Sequence, residues 1–331
     1  VKEVFVTGAT GFLGTNLIMQ LVDRGVHVHA TYREKSDRSA FADLPVQWHL
    51  ADVTDAASLH AACPEKVDVF FHAAGDTSMW KLKNAGQRRT NVTGTENAIR
   101  TALEKHAGRF VHTSSIAVYG IHEQVITESS PRLGGSSSNN YYRTKFEAEE
   151  LVRAARRNKK LPAVILNPCH LVGEWDRHNW SRMIGMVRHG KLPGVPPGRG
   201  SFCDIAEVAK AHITAAQRAA VGENYILAGT PLSFVEFVTL IGNVVGRETP
   251  QKPVPALVLK SMARVSDWIS MITRKEPSLT PENVLMVCDN LRVSGAKAER
   301  DLDYNADVNV KAVLERCYHC MQKEGLLDPE S

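Results

Sequence analysis

Val4-Phe5-Val6-Thr7-Gly8-Ala9-Thr10-Gly11-Phe12-Leu13-Gly14 runs from β-branched and aromatic residues through a glycine-rich turn into an apolar periodic stretch. A buried strand that enters a helix through such a turn is the context a dinucleotide-binding first βα unit requires. Gly8 permits the sharp turn, Gly11 lets backbone approach a pyrophosphate, and Gly14 lets helix meet strand. The helix N-terminus offers free N–H groups and positive dipole to phosphate. Thr10, Phe12 and Leu13, between the glycines, join them as candidate cofactor-binding positions. The spacing is GxxGxxG, not the commoner GxGxxG.

Outward from this turn, short runs rich in β-branched residues recur at Val26–Thr31, Val46–Leu50, Val67–His72, Arg109–Thr113 and Ala163–Asn167. They alternate with the helical stretches Phe12–Arg24, Asn91–His106 and Tyr141–Lys159, which reads as repeated βαβ units and a parallel sheet covered on both faces. The predicted fold is α/β, a Rossmann-type doubly wound sheet. Proline and glycine concentrate in Leu192–Gly200 and Pro250–Pro255, where a smaller, discontinuous C-terminal substrate domain is expected. The predicted boundaries are 1–168 for the dinucleotide-binding domain and 169–202 with 229–331 for the substrate domain. Residues 203–228 return to the main sheet through Cys203–Ala216, a strand end and helix, and the short strand Tyr225–Leu227.

With 331 residues, 43% of them hydrophobic and 23% charged, the chain has apolar material for a sizeable core and no compositional mark of disorder. Its 40 basic and 36 acidic residues are interspersed, so no nucleic-acid footprint is present. Cysteines 63, 169, 203, 288, 317 and 320 are too sparse for a secreted disulfide scaffold, and Cys317-x-x-Cys320 has no second pair to complete a zinc site. They read as reduced thiols, and no metal is expected. The opening Val1-Lys2-Glu3 leaves no room for a signal peptide before the glycine turn, and no apolar window is long enough to span a membrane. A cytoplasmic protein is expected, with the sequons at Asn91 and Asn179 carrying no sugar.

The second strand ends in Thr31-Tyr32-Arg33-Glu34-Lys35, with Arg33 near the place where NAD-binding folds put an acid for the ribose hydroxyls. A guanidinium clamps a 2′-phosphate bidentately, so NADP(H) is the favoured cofactor; Glu34 keeps NAD(H) open. Asp52 and Val53, after the third strand, are placed to meet the adenine. Ala73, Ala74 and Gly75, after the fourth, are small enough for a cofactor to pass close.

Tyr141 and Lys145 stand four apart, on one face of the predicted helix. A phenol with a pKa near 10 protonates a carbonyl oxygen more readily when a neighbouring ammonium stabilises its phenolate, so Lys145 is expected to lower the pKa of Tyr141 and to hold the ribose. Ser115, at the carboxyl edge of the fifth strand, is the candidate to orient a substrate carbonyl, in preference to Ser114.

Gly8/Gly11/Gly14, Thr113-Ser114-Ser115 with Val118-Tyr119-Gly120, and Tyr141/Lys145 together resemble the extended short-chain dehydrogenase/reductase superfamily, the NAD-dependent epimerase/dehydratase group. Asn91-Val92-Thr93-Gly94-Thr95, Asn167-Pro168, Asp204–His212 and Tyr225–Gly229 resemble further family segments, and Pro168 joins the cofactor-contacting candidates. Ala73–Asp76 with Trp80, and Pro277 through Ala298, are most similar to the dihydroflavonol 4-reductase-like branch, which borders 3β-hydroxysteroid dehydrogenases. Val172-Gly173-Glu174-Trp175 departs from the usual Gly-Pro continuation, and Glu207-Val208-Ala209 from Asp-Val-Ala.

The resemblance implies interconversion of a ketone and a secondary alcohol, with hydride from nicotinamide and the proton from Tyr141. It also implies a homodimer through a bundle of Gly94–His106 and Tyr141–Arg157. Asp76, Trp80, Tyr119, His170 and Trp175 are candidate substrate contacts, and with Met79, Leu171, Trp180 and Met183 they suggest an apolar or aromatic small molecule. A nucleotide-sugar epimerase with retained NAD is the alternative, since Ser115-Ile116-Ala117 lacks the Thr-Asp-Glu of dehydratases. A non-catalytic NADP(H) sensor would usually have lost Tyr or Lys. The amphipathic stretch Ala256–Ile272 reads as a helix packed over the substrate domain, with a membrane-surface helix as the alternative.

Overall fold

The computed structural model describes residues 1–277 and 279–327; Ser278 and the last four residues of the predicted substrate domain lie outside the described residues. The first half runs β1 (Glu3–Thr7), α1 (Phe12–Asp23), β2 (His27–Tyr32), β3 (Val46–Leu50), α2 (Ala56–Ala62), β4 (Val69–His72), α3 (Asn84–Arg88), α4 (Gly94–Glu104), β5 (Phe110–Thr113), α5 (Asn140–Lys159) and β6 (Ala163–Pro168). There follow β7 (His170–Val172), α6 (Ser181–Arg188), β8 (Arg199–Asp204), α7 (Ile205–Arg218), β9 (Asn224–Leu227), β10 (Thr230–Ser233), α8 (Phe234–Val245), α9 (Ala256–Thr273), α10 (Pro281–Val287), α11 (Ala296–Leu302) and α12 (Val310–Lys323).

The main sheet has seven parallel strands in the order β3-β2-β1-β4-β5-β6-β9. Its strands are apolar on both faces because helices cover both. On one side Val4, Val6, Val28 and Val111 pack with α1 and α7; on the other Phe5, Phe70 and Phe110 pack with α2, α4 and α5. Chain order reverses between β1 and β4, whose register pairs Thr7 with His72. Ligands of doubly wound sheets bind outside the carboxyl ends of the strands at such a switch point.

A second, three-stranded sheet, β10-β8-β7, carries a separate core in which Phe202 stacks on Phe237 at 4.0 Å and Trp180 lies against Phe234. The segment 203–228 divides between the two sheets. Cys203 and Asp204 end β8 in the small sheet, whereas α7 packs on α1 and β9 joins β6.

Two sequence expectations change in detail. The helix expected from Asn91 begins earlier, at Asn84, and passes through a π-type turn at Arg89–Thr93 that directs Asn91 inward. Helix α9 forms where the sequence placed it, but Leu259, Ala263, Asp267 and Ser270 are its buried positions, while its larger apolar side chains face solvent. The helix therefore buries Leu259 together with its small and polar positions.

Candidate active site

The glycine turn occupies the switch point. Gly8 sits at φ +69°, and a Cβ there would stand 2.5 Å from Ala74 N, so only glycine lets the turn lie against the backbone that follows β4. A Cβ on Gly14 would collide with the Gly8 carbonyl and come within 2.7 Å of Ala9 O. Gly11, exposed at the N-cap of α1, donates its N–H to Gly8 O at 3.0 Å and receives Thr15 N on its carbonyl at 2.8 Å. The N–H groups of Phe12 and Leu13 open the helix and, as in any first turn, have no intrahelical acceptor. Exposed glycine, free N–H groups and a helix start at the switch point fit a dinucleotide pyrophosphate. Gly14→Ala is expected to cost about 1–3 kcal/mol by overpacking and to weaken dinucleotide binding, read by thermal melts with and without nucleotide.

Arg33 is exposed one residue beyond β2, in a turn closed by Arg33 N to Ser36 Oγ at 3.0 Å and Ser36 N to Arg33 O at 2.8 Å. Nearby, the Arg38 guanidinium lies 4.0 Å from the Tyr32 ring centroid. Asp52 follows β3 and uses one carboxylate oxygen to accept Thr54 N and Thr54 Oγ1, both at 2.8 Å. Val53 is buried against α4, its carbonyl accepting Asn97 Nδ2 at 2.8 Å. Ala73 N donates to Thr7 O at 3.2 Å, which fastens Ala73-Ala74-Gly75 beside the turn. Pro168, also buried, closes β6 in register with Leu227.

Beyond β5 the two serines divide. Ser114 Oγ donates to Glu149 Oε2 at 2.6 Å, whereas Ser115 Oγ caps the following turn by accepting Ala117 N at 3.2 Å and stands near enough to the Tyr141 phenol to favour its ionised form. Helix α5 starts one residue before Tyr141, with Asn139 Oδ1 accepting Tyr141 N at 2.9 Å. Lys145, one turn on, donates from Nζ to Thr113 O at 2.7 Å. Burial pushes its ammonium down to about 8, opposed by Glu149. Burial pushes the Tyr141 phenol up, as does the Asp76 carboxylate, while the nearby Ser115 hydroxyl pulls it down. The phenol is held protonated, the form a proton donor needs.

Sequence reasoning missed two supports of this arrangement. Glu149 is wholly buried and accepts from Ser114, from Asn167 Nδ2 at 2.8 Å and from Arg153 Nε at 2.9 Å, tying β5, β6 and α5 together. Its signal was spacing, four residues past Lys145 and eight past Tyr141. Asn91 clasps Asp76, accepting its N–H at 2.7 Å and donating to its carbonyl at 3.0 Å, and reaches Thr144 Oγ1 at 3.1 Å. Its only signal was its place in a family-like segment.

The substrate candidates separate. Asp76 stays beside the Tyr141 phenol, its Oδ1 accepting Ser78 N at 2.8 Å. Met79 Sδ accepts from Asn139 Nδ2 at 3.5 Å, at the start of the Tyr141 helix. Trp175 sits at φ +70°, a strained conformation for a bulky residue, in a loop fixed to α1 by Asn16 Nδ2 donating to Glu174 O at 3.0 Å. Three of the candidates take part in packing. Trp80 is buried with its indole N–H donating to Ser270 Oγ at 3.1 Å, so it fastens α9. Tyr119 is fully buried and accepts Asn224 Nδ2 on its hydroxyl at 2.9 Å. His170 lies 5.3 Å from Trp180 and 5.4 Å from Phe202 in the second core, and burial pushes it down to about 4. Trp180 and Met183 belong to that core as well, so the apolar wall expected from sequence is not continuous.

Known proteins align with this picture. The sequence profile of the NAD dependent epimerase/dehydratase family matches residues 4–228. The chain is 28% identical to sterol demethylase protein B of Methylococcus capsulatus, covering 90% of this chain and 92% of that one. It is 29% identical to the 4-hydroxy-2-methyl-3-oxo-4-farnesyl-3,4-dihydroquinoline-1-oxide ketoreductase of Stigmatella aurantiaca, covering 95% of each. The crystal structure of gox2253 superposes with a TM-score of 0.85 at 28% identity over 99% of this chain and 100% of that one. UDP-glucose 4-epimerase of Bifidobacterium longum, solved with NAD+ and UDP, shares the fold at a TM-score of 0.78 and 18% identity, covering 99% of this chain and 100% of that one. With its glycine cradle, its Ser115–Tyr141–Lys145 grouping and a profile match over most of its length, the chain belongs to the NAD dependent epimerase/dehydratase family.

Proposed function

We propose that this protein is an NADP(H)-preferring oxidoreductase that interconverts a ketone and a secondary alcohol on an apolar or aromatic small molecule. The observation that carries the reading is the placement of Tyr141 near Ser115 and one helical turn from Lys145, whose Nζ is anchored on Thr113 O, at the sheet edge beside the glycine cradle. Gly8, Thr10, Gly11, Phe12, Leu13 and Gly14 would hold the pyrophosphate, Arg33 the 2′-phosphate, Asp52 and Val53 the adenine side. Ala73, Ala74, Gly75 and Pro168 would line the remaining path. A bound nicotinamide dinucleotide supplies or takes up the hydride. Tyr141 gives its proton to the carbonyl oxygen, and the Ser115 hydroxyl holds that oxygen in line. Lys145, anchored on Thr113 O, would grip the ribose.

The names of two relatives, a sterol-processing protein and a farnesyl-quinoline ketoreductase, support an apolar substrate here. Met79 and Trp175 are the sequence-named apolar residues left to meet it, beside Asp76. Residues 169–202 and 229–331 are proposed as the substrate side, supported by their separate core. Six free thiols support a cytoplasmic setting, and a homodimer through α4 and α5 completes the proposal.

Parallel titration with NADPH and NADH tests the cofactor. Tighter, freely exchanging NADPH is expected, and Arg33→Asp should reverse the preference because it replaces the cation with a like charge for the phosphate. NAD retained through purification would instead support a nucleotide-sugar epimerase.

A further inference from the structure

Helix α9 is amphipathic the wrong way round for a helix buried by its own chain. Its inner side is Leu259, Ala263, Asp267 and Ser270, and its outer side carries Leu257 at 76% exposure, Val265 at 59%, Trp268 at 66%, Met271 at 57% and Ile272 at 66%. So many large apolar side chains on one exposed helix face mark an interaction surface.

Charge identifies the occupant. Lys260 and Arg264 flank the apolar face, Lys252 precedes the helix, and Arg274 and Lys275 follow it, all five exposed. The helix has a single acid, Asp267, buried and paired with Lys81 at 2.9 Å; the next acid, Glu276, pairs with Lys83 at 2.6 Å. Among the described residues, none of the five cations has a carboxylate partner. Apolar side chains including an indole, bordered by uncompensated cations and free of exposed acid on the helix, complement the acyl and headgroup layers of an anionic bilayer. No described helix is long and apolar enough to cross a membrane. We propose that α9 lies in the surface of an anionic phospholipid membrane and docks the enzyme there.

The docked helix is fastened to the catalytic side. Trp80 Nε1 to Ser270, Lys81 to Asp267 and Lys83 to Glu276 join α9 to the segment that begins at Gly75-Asp76, against Asn91 and the Tyr141 phenol. Resting on the reductase reading, this connection places the entrance for a lipid-dissolved ketone at the membrane.

Co-sedimentation of the full chain with phosphatidylcholine vesicles, with and without phosphatidylglycerol, tests the docking without cofactor or substrate. Binding is expected only with phosphatidylglycerol and should weaken as salt rises. Lys260→Gln with Arg264→Gln should lower vesicle affinity by about tenfold or more, from the contribution of each cation near an anionic surface. Trp268→Ser with Ile272→Ser should abolish binding while leaving the thermal melt and the reduction of a water-soluble ketone unchanged. Wild-type protein that stays in the supernatant with every vesicle overturns the proposal. So does wild-type protein that forms a larger assembly which Trp268→Ser with Ile272→Ser dissociates, since a second copy then covers the face. Failure to turn over any ketone would refute the reductase reading and leave the vesicle result intact.

Discussion

Tyr141→Phe is expected to lower kcat for ketone reduction by about 10²–10⁴-fold, the range of a positioned general acid, with dinucleotide affinity changed little. The substitution removes one oxygen from a side chain whose ring already packs 6.3 Å from Tyr142, so the helix and its Asn139 cap should persist. Steady-state kinetics with a nucleotide titration on the same preparation separates the two effects. Burial holds the phenol above its ordinary range, so Tyr141 keeps its proton throughout the neutral region. The group that changes charge first as pH rises is Lys145, near 8. The alkaline limb of reduction should therefore fall near pH 8 in the wild type and not near 10. A Tyr141→Phe enzyme that retains most of its kcat would show that the carbonyl takes its proton elsewhere, and the placement of Tyr141 near Ser115 would then be structural.

The parts of this fold that were legible in sequence are those set by local chemistry. Gly8 and Gly14 announce a turn because no Cβ fits there, and the strands announce themselves because burial on both faces leaves little room for polar residues. That Tyr141 and Lys145 share one helix, a turn apart, followed from their spacing. What escaped were partnerships set by distant segments. Trp80 and His170 are aromatic residues near expected loops, and nothing local says that one meets Ser270 and the other the Phe202 cluster. Helix α9 shows the same limit from the other side. Periodicity reveals that one face is apolar but not which face the rest of the chain covers.

Lowering the pH from 7.5 to 5.5 is expected to remove about 5 kcal/mol of folding stability through four buried histidines. Burial pushes His72 down to about 3, His170 and His212 to about 4, and His112 well below its ordinary value, so all four are neutral in the fold. Their surroundings require that form. Thr95 Oγ1 donates to Asn91 O at 2.6 Å, so His72 Nε2 must donate to Thr95 and His72 Nδ1 must accept from Thr7 at 2.8 Å. His212 Nδ1 donates to Val208 O at 2.8 Å, which leaves Nε2 to accept from Thr113 at 3.0 Å. His112 stacks on His72 at 5.5 Å with neither ring nitrogen bonded, and Lys145 adds positive potential at both His72 and His112. The unfolded chain binds these protons near pH 6.5, so the stabilisation is complete above that value and is lost as pH falls toward the folded values. At pH 5.5 each histidine costs about 1.4 kcal/mol, and together they consume a large share of the 5–15 kcal/mol typical of a folded protein. Urea unfolding at the two pH values measures the loss. His112→Phe, which keeps a ring beside His72 and Phe110 and removes one titrating group, should shrink the difference by about a quarter. Equal stability at both pH values would mean that these rings take up protons in the fold as readily as in the unfolded chain, and the hydrogen-bond assignment around Thr7, Thr95 and Thr113 would fail.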